Sequence, residues 1–397
     1  MPMSDEALRR IDALIQVSMR LAATAPSGRV ALAKVASALK PEWLPRPWRE
    51  SIWPELEAAR TAASEPVPFR DIERVLRGAW GAAPTDELDE LDAEPVAVTA
   101  TSQVHRGTLD GDPVAVKVLR PGLRGLMRQD LTLLEGLLGP LKAAFPGVDP
   151  QAIMAEVRER MLDELDLEHE SGMQRRFQRA LRGHPFLVIP APVTRLAHED
   201  VLVSEWIDGT PISGAGDADD TTARLIAFVV GGLRAGLVHA DPDPADILIT
   251  ADGRLAILDF GATRTVDPGR ADLGLSLVEA FAAQDAAGFG AALEQLGTLD
   301  AQHGEAALSL ARHSLGELGE PGPSRLDSAE VVALGKRLAQ RPQDALELLL
   351  AGGLPPEDLW PLRGIGQAFG TVAQVGGTGD WLELVRAALR DGWDPSV

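Results

Sequence analysis

The spacing of apolar residues changes period along the chain, and the changes outline its elements. Between Ala7 and Ala23, Leu8, Ile11, Leu14, Ile15 and Leu21 recur at helical spacing and predict an amphipathic opening helix. A shorter helix is expected over 30–39, before Pro41, Pro45 and Pro47 interrupt the pattern. Two more are expected at 48–63 and 69–80. The run DELDELDAE over 86–94 is expected to be a solvated surface segment.

After Pro95 the pattern becomes extended. Val96 and Val98, then Val104, then Val114, Val116 and Val118 predict strands, with Asp110-Gly111-Asp112 as a turn. Helical spacing returns over 124–141 and 149–180, a short apolar strand is expected at 201–206, and a helix at 218–237. From 270 onward the pattern is helical, broken at Pro321-Gly322-Pro323 and Gly376-Gly377. Helices, strands, helices, a strand, a strand pair and helices again predict an α+β fold of two lobes with helical extensions at both ends.

Composition narrows the chemistry. A formal net charge of −21 excludes a nucleic-acid partner held by phosphate contacts. It equally disfavours an anionic membrane surface, leaving only peripheral contact through a local patch. The absence of cysteine removes disulfides, thiolate metal sites and a thiol nucleophile. No run of about 18 apolar residues occurs, so no transmembrane segment is expected. The N-terminus intersperses charges among its apolar residues, unlike a secretory leader, so a cytoplasmic location is expected.

The densest chemical signal is His239-Ala240-Asp241-Pro242-Asp243-Pro244-Ala245-Asp246, followed by Ile247-Leu248-Ile249 and then Leu258-Asp259-Phe260-Gly261. This matches the catalytic loop and D-F-G of protein kinases. One Asp handles the acceptor hydroxyl, a side chain five positions later binds metal, and the D-F-G Asp holds Mg2+ under the phosphates of ATP. Asp241, Asp246 and Asp259 stand at those places. Ala251-Asp252-Gly253-Arg254 would turn the chain so that Asp259 returns beside Asp246.

Upstream, Val114-Ala115-Val116-Lys117 matches the strand that carries the phosphate-binding lysine. That lysine needs a helix carboxylate, and the 149–180 segment offers Glu156, Glu159, Glu164 and Glu168, with Glu164 the candidate taken forward. Glu205-Trp206-Ile207 falls where a hinge would meet adenine with backbone groups. His239 is expected to bond backbone near Asp259 rather than act as a base.

These runs resemble the UbiB/AarF family of atypical kinases, called ADCK proteins in animals. The resemblance rests on Gln103-Val104-His105-Arg106, on Val114-Ala115-Val116-Lys117-Val118 with Arg120-Pro121-Gly122, and on Glu164-Leu165-Asp166 with Glu170 following. His239-Ala240-Asp241-Pro242 completes it. It implies a protein-kinase-like fold, ATP and Mg2+ as cofactors, and kinase or ATPase activity tied to isoprenoid lipids or quinones. The acceptor would be a small molecule, a lipid or a protein. On this basis residues 1–94 form an N-terminal helical extension, 95–206 an N-lobe with inserted long helices, and 207–397 a helical C-lobe with the catalytic loop and D-F-G.

The chain departs from the family pattern in three places. The family's alanine-rich phosphate loop is represented by Ala97-Val98-Thr99-Ala100-Thr101-Ser102, which adds hydroxyls. Its KxGQ signature is not intact, the nearest match being Lys34-Val35-Ala36-Ser37. Its HPGN tetrad is Asp243-Pro244-Ala245-Asp246, so a carboxylate replaces the metal-binding amide. These departures sustain a second hypothesis, a nucleotide-binding pseudokinase scaffold without turnover. A third is a small-molecule kinase of the aminoglycoside-phosphotransferase kind, which shares the catalytic-loop logic.

Overall fold

The computed structural model describes residues 32–33, 41–43, 49–50, 52–129, 158, 162–163, 165–214, 216, 218–353 and 355–394. The helices expected at 7–23 and over most of 30–39, 130–141 and 149–164 fall outside the described residues.

Helix α1 (Trp53–Ala63) and helix α2 (Phe69–Trp80) precede the first sheet. In α2, Ile72 and Leu76 lie one turn apart and are fully buried, and Gly81 ends the helix in the left-handed conformation. Strands β1 (Glu90–Val98), β2 (Ser102–Leu109), β3 (Asp112–Leu119) and β5 (Val201–Glu205) form an antiparallel sheet in the order β1-β2-β3-β5. The β2–β3 hairpin turns on Asp110 and Gly111, with φ of 53° and 86°. Positive φ at both central residues matches the right-handed twist of the strands, which is why Asp-Gly signals this turn. Val114, Val116 and Val118 of β3 share one buried face with Val201 and Val203, and α2 packs there.

The acidic run is largely exposed, as expected, and it is ordered into secondary structure. Residues Pro84–Glu87 form one helical turn, and β1 starts at Glu90, paired with Thr108. β1 is an edge strand whose side chains are largely exposed, so carboxylates cost little there.

Helix α3 (Leu167–Ala180) connects this sheet to the rest of the molecule. A second sheet has the order β4-β9-β8-β6, from β4 (Leu187–Val188), β6 (Thr210–Pro211), β8 (Ile247–Ile249) and β9 (Leu255–Ile257). Helix α4 (Ala218–Gly231) stops short of the expected residue 237. The chain turns back through Leu237 N–H bonding to the Gly232 carbonyl, and Leu237 opens β7 (Leu237–His239), which pairs with β10 (Thr263–Thr265).

Helices α5 (Gly269–Ala283), α6 (Ala286–Leu296), α7 (Gly304–Leu315), α8 (Ser328–Gln340), α9 (Pro342–Ala351), α10 (Pro356–Val375) and α11 (Trp381–Asp391) complete the fold. The two expected breaks are linked. Each leads into a short strand, β11 (Ser324–Leu326) and β12 (Gly377–Gly379), and the two pair with each other. A large core gathers Phe177 of α3, Phe228 of α4 and Phe260 with β7, β9, α10 and α11. Among the described residues no helix is long and apolar enough to cross a membrane.

Candidate nucleotide site

The alternation that buries Val114, Val116 and Val118 turns Lys117 to the other face of β3. There its Nζ donates to both carboxylate oxygens of Glu170, at 2.8 and 2.9 Å, and to Asp259 Oδ2 at 3.0 Å. Burial opposes the lysine's charge, but the carboxylates of Asp259 and Glu170 outweigh it and push its pKa up. Glu170 itself is 1% exposed, and burial pushes its carboxyl up against the pull of Lys117.

Among the described residues, Glu170 is the helix carboxylate on Lys117. Glu164 lies outside the described residues, as do Glu156 and Glu159, and Glu168 is exposed. Asp166 caps α3, accepting from the amides of Glu168 and His169 at 3.1 and 3.0 Å. The cap fixes the phase of the helix, so that Leu167, Glu170, Ser171, Gln174 and Phe177 form its buried stripe. A carboxylate at Leu167 plus three, on the same face as Leu167, Met173 and Phe177, is the signal that a count of acidic residues overlooks. The same stripe carries Phe177 to the ring of Phe260, with centroids 5.1 Å apart, and Phe260 N–H donates to Glu170 Oε1 at 3.3 Å, so α3 grips the residue next to Asp259.

Asp259 is held from both sides. Gly261 N–H donates to its Oδ1 at 2.8 Å, and the buried His239 lies 2.7 Å through Nε2 from its carbonyl. A carbonyl only accepts, so His239 carries its proton on Nε2. Burial lowers its pKa, keeping the ring neutral among Phe177, Phe228 and Phe260.

Asp246 closes the one-turn helix Pro244–Asp246, which Asp243 caps by accepting from Ala245 N–H at 2.8 Å. Strands β8 and β9 then bring the chain back, with Leu258 N–H bonded to the Asp246 carbonyl at 3.0 Å. Burial, then repulsion from Asp259 and Asp243, raise the Asp246 carboxyl well above the usual range. Such a pair suits a divalent cation. Among the described residues no third carboxylate or histidine joins a metal cluster, so Mg2+ here would be completed by phosphate oxygens and water.

Asp241 is contacted from an element that gave no signal. Arg363 of α10 donates to its Oδ2 at 2.8 Å, and Gln367, one turn on, lies 3.5 Å from Oδ1. Thr371 adds a buried 2.7 Å bond to the Pro242 carbonyl. Gly364 lets the helix come this close: a Cβ there would overlap the His239 carbonyl oxygen.

The β1–β2 turn is closed on itself. Thr99 Oγ1 accepts from the amides of Thr101 and Ser102 at 3.2 and 3.0 Å. Arg120 ties the turn down, donating through Nε to the Thr99 carbonyl at 3.0 Å and through Nη2 to the Ala63 and Glu65 carbonyls. Ala97 lies in β1 opposite Val104, and Ala100 packs on the cluster around Leu119 and Leu123. At the hinge, Glu205 N–H bonds to the Ala191 carbonyl at 2.9 Å and Trp206 N–H to that of Pro113 at 3.1 Å. The amides of Glu205 and Trp206 are thus both engaged by protein.

A sheet carrying a lysine, a helix carboxylate on that lysine, and a catalytic loop and D-F-G on paired strands beneath define a protein-kinase-like protein. The chain belongs to the ABC1 atypical kinase-like family, whose model matches residues 61–292. It is 31% identical over 266 residues to a chloroplastic aarF domain-containing protein kinase of Arabidopsis thaliana, covering 65% of this chain and 38% of that protein. It is 30% identical over 219 residues to the probable protein kinase UbiB of Marinobacter nauticus, covering 51% of this chain and 40% of that one. The chain therefore spans well under two thirds of these relatives. Among solved structures, Mycobacterium tuberculosis Rv3197, determined with erythromycin, matches with a TM-score of 0.62 at 23% identity over 98% of this chain and 97% of that one. That likeness concerns the fold.

Proposed function

We propose that the chain binds Mg-ATP between the β1–β2 turn and the D-F-G segment, and transfers or hydrolyses the terminal phosphoryl group. The observation that carries this reading is the Lys117–Glu170 pair, formed at 2.8 Å with Asp259 at 3.0 Å from the same nitrogen. A buried lysine held by two carboxylates has its charge fixed in place, and the N–H now on Asp259 would pass to the α and β phosphates as that carboxylate turns to Mg2+. Asp246 and Asp259 would hold Mg2+, which would neutralise the phosphates. Asp241 would position the acceptor hydroxyl or water, with Arg363 orienting it. The family resemblance adds isoprenoid lipids or quinones as the setting of the reaction.

Calorimetric titration with Mg-ATP tests the site. The native chain should bind saturably, and Lys117→Met should weaken binding at least about tenfold, or roughly 1.4 kcal/mol. Binding that ignores the lysine in a still-folded variant would contradict this reading. The second hypothesis, a nucleotide-binding scaffold, is kept because the turn that replaces the family's alanine-rich loop is closed on itself, with the Thr101 and Ser102 amides on Thr99 Oγ1. Tight binding with no turnover would select it.

A further inference from the structure

Away from the nucleotide site, a cavity of about 580 Å³ opens among α5, α7, α8, α10 and α11, between the two hydrophobic clusters of the helical region. Phe281, Leu315, Leu334, Phe369, Trp381 and Val385 are among its walls, and among the described residues no charged side chain lines it. The one polar side-chain group among the described lining residues, the indole N–H of Trp381, is committed to the Ser324 carbonyl at 3.0 Å. Its volume is that of small-molecule pockets, and walls of hydrocarbon hold water poorly. Phe281 and Trp381 at its floor are buried and most of its other walls are half-buried, so the space is a cleft into the helical region, of a volume that suits a small molecule.

Gly366 and Gly370, one turn apart on α10, line this space, and a Cβ built at either would meet nothing within 4 Å. Glycine weakens a helix interior, and no neighbour forces it here, in contrast to Gly364. The absent side chains keep the cavity open. Another face of the same helix carries Arg363, Gln367 and Thr371 to the catalytic loop.

We infer that this cavity is a binding site for an uncharged, mainly hydrocarbon small molecule, and that its occupancy reaches the catalytic loop through α10. The binding site stands apart from the nucleotide reading, and the transmission is tested without turnover.

The full chain is titrated with the neutral fluorophore N-phenyl-1-naphthylamine, which is then displaced with 1-dodecanol or with dodecanoate. Saturable binding is expected, with dodecanol at least tenfold more effective than the anion, because the walls offer a carboxylate no partner. Gly370→Leu and Gly366→Leu place a side chain in the space, and each should weaken the probe at least tenfold with an unchanged or higher melting temperature. No saturable binding, or probe affinity indifferent to both substitutions in folded protein, overturns the site. Equal potency of the anion overturns its class. Hydrogen exchange reads the transmission: dodecanol should change exchange at least twofold in peptides covering 240–246 in the native chain, and not in Gly370→Leu. Protection confined to the cavity helices overturns the transmission.

Discussion

Arg363 reaches back 122 positions along the chain to donate to Asp241 Oδ2 at 2.8 Å. The contact depends on the close approach of α10 at Gly364, where there is no room for a Cβ beside the His239 carbonyl. Helix α10 is thus part of the catalytic loop's support and not merely a distant extension.

Gly364→Ala should push α10 off the loop. Overpacking of this kind costs about 1–3 kcal/mol, so the melting temperature should fall. Turnover per folded molecule should fall at least about tenfold as Arg363 withdraws. Arg363→Ala should reproduce the loss of turnover with a smaller loss of stability. Full activity in both variants would remove α10 from the site.

Asp246 is a carboxylate that its neighbours repel, and Asp246→Asn restores the amide usual at this position in the family. Without metal the variant should melt about 1 °C above the native chain, for about 1 kcal/mol of relieved repulsion. The rise in melting temperature on adding Mg2+ should be smaller in the variant. Thermal scans in EDTA and in Mg2+ decide it, and an unchanged Mg2+ response would show that Asp246 lies off the metal.

His239 gives the fold a pH dependence. Its folded pKa is lowered, chiefly by burial, so below the unfolded value of about 6.5 the unfolded chain takes up the proton first. The stability that neutral His239 contributes is complete above about pH 6.5 and drains away as pH falls toward the folded value. His239→Gln should therefore show a shallower loss of stability between pH 7.5 and 5.5. Parallel slopes would mean that His239 does not titrate on unfolding.

Much of the site is written in local sequence. Asp110-Gly111 dictates its turn through two positive φ angles, and the Val114–Val118 alternation fixes the face on which Lys117 emerges. The spacing from Asp241 through Asp246 to Asp259 survives because two short strand pairs hold it. What was illegible depends on phase or distance. Choosing Glu170 among the carboxylates before it required knowing that Asp166 starts the helix. The acidic start of β1 has no apolar alternation, since an edge strand exposed along its length needs none. Arg363 and Gln367 sit in an ordinary amphipathic helix, and only the folded chain places them on Asp241.

The most direct test of the nucleotide site is the initial rate of ATP turnover by the native chain beside Asp259→Asn, with Mg2+ and with EDTA. The expected result is turnover that EDTA abolishes and that Asp259→Asn lowers by at least about a hundredfold, roughly 2.7 kcal/mol of barrier. Turnover that survives the substitution, or none from a native chain that binds Mg-ATP, would contradict phosphoryl transfer at Lys117, Asp241 and Asp259.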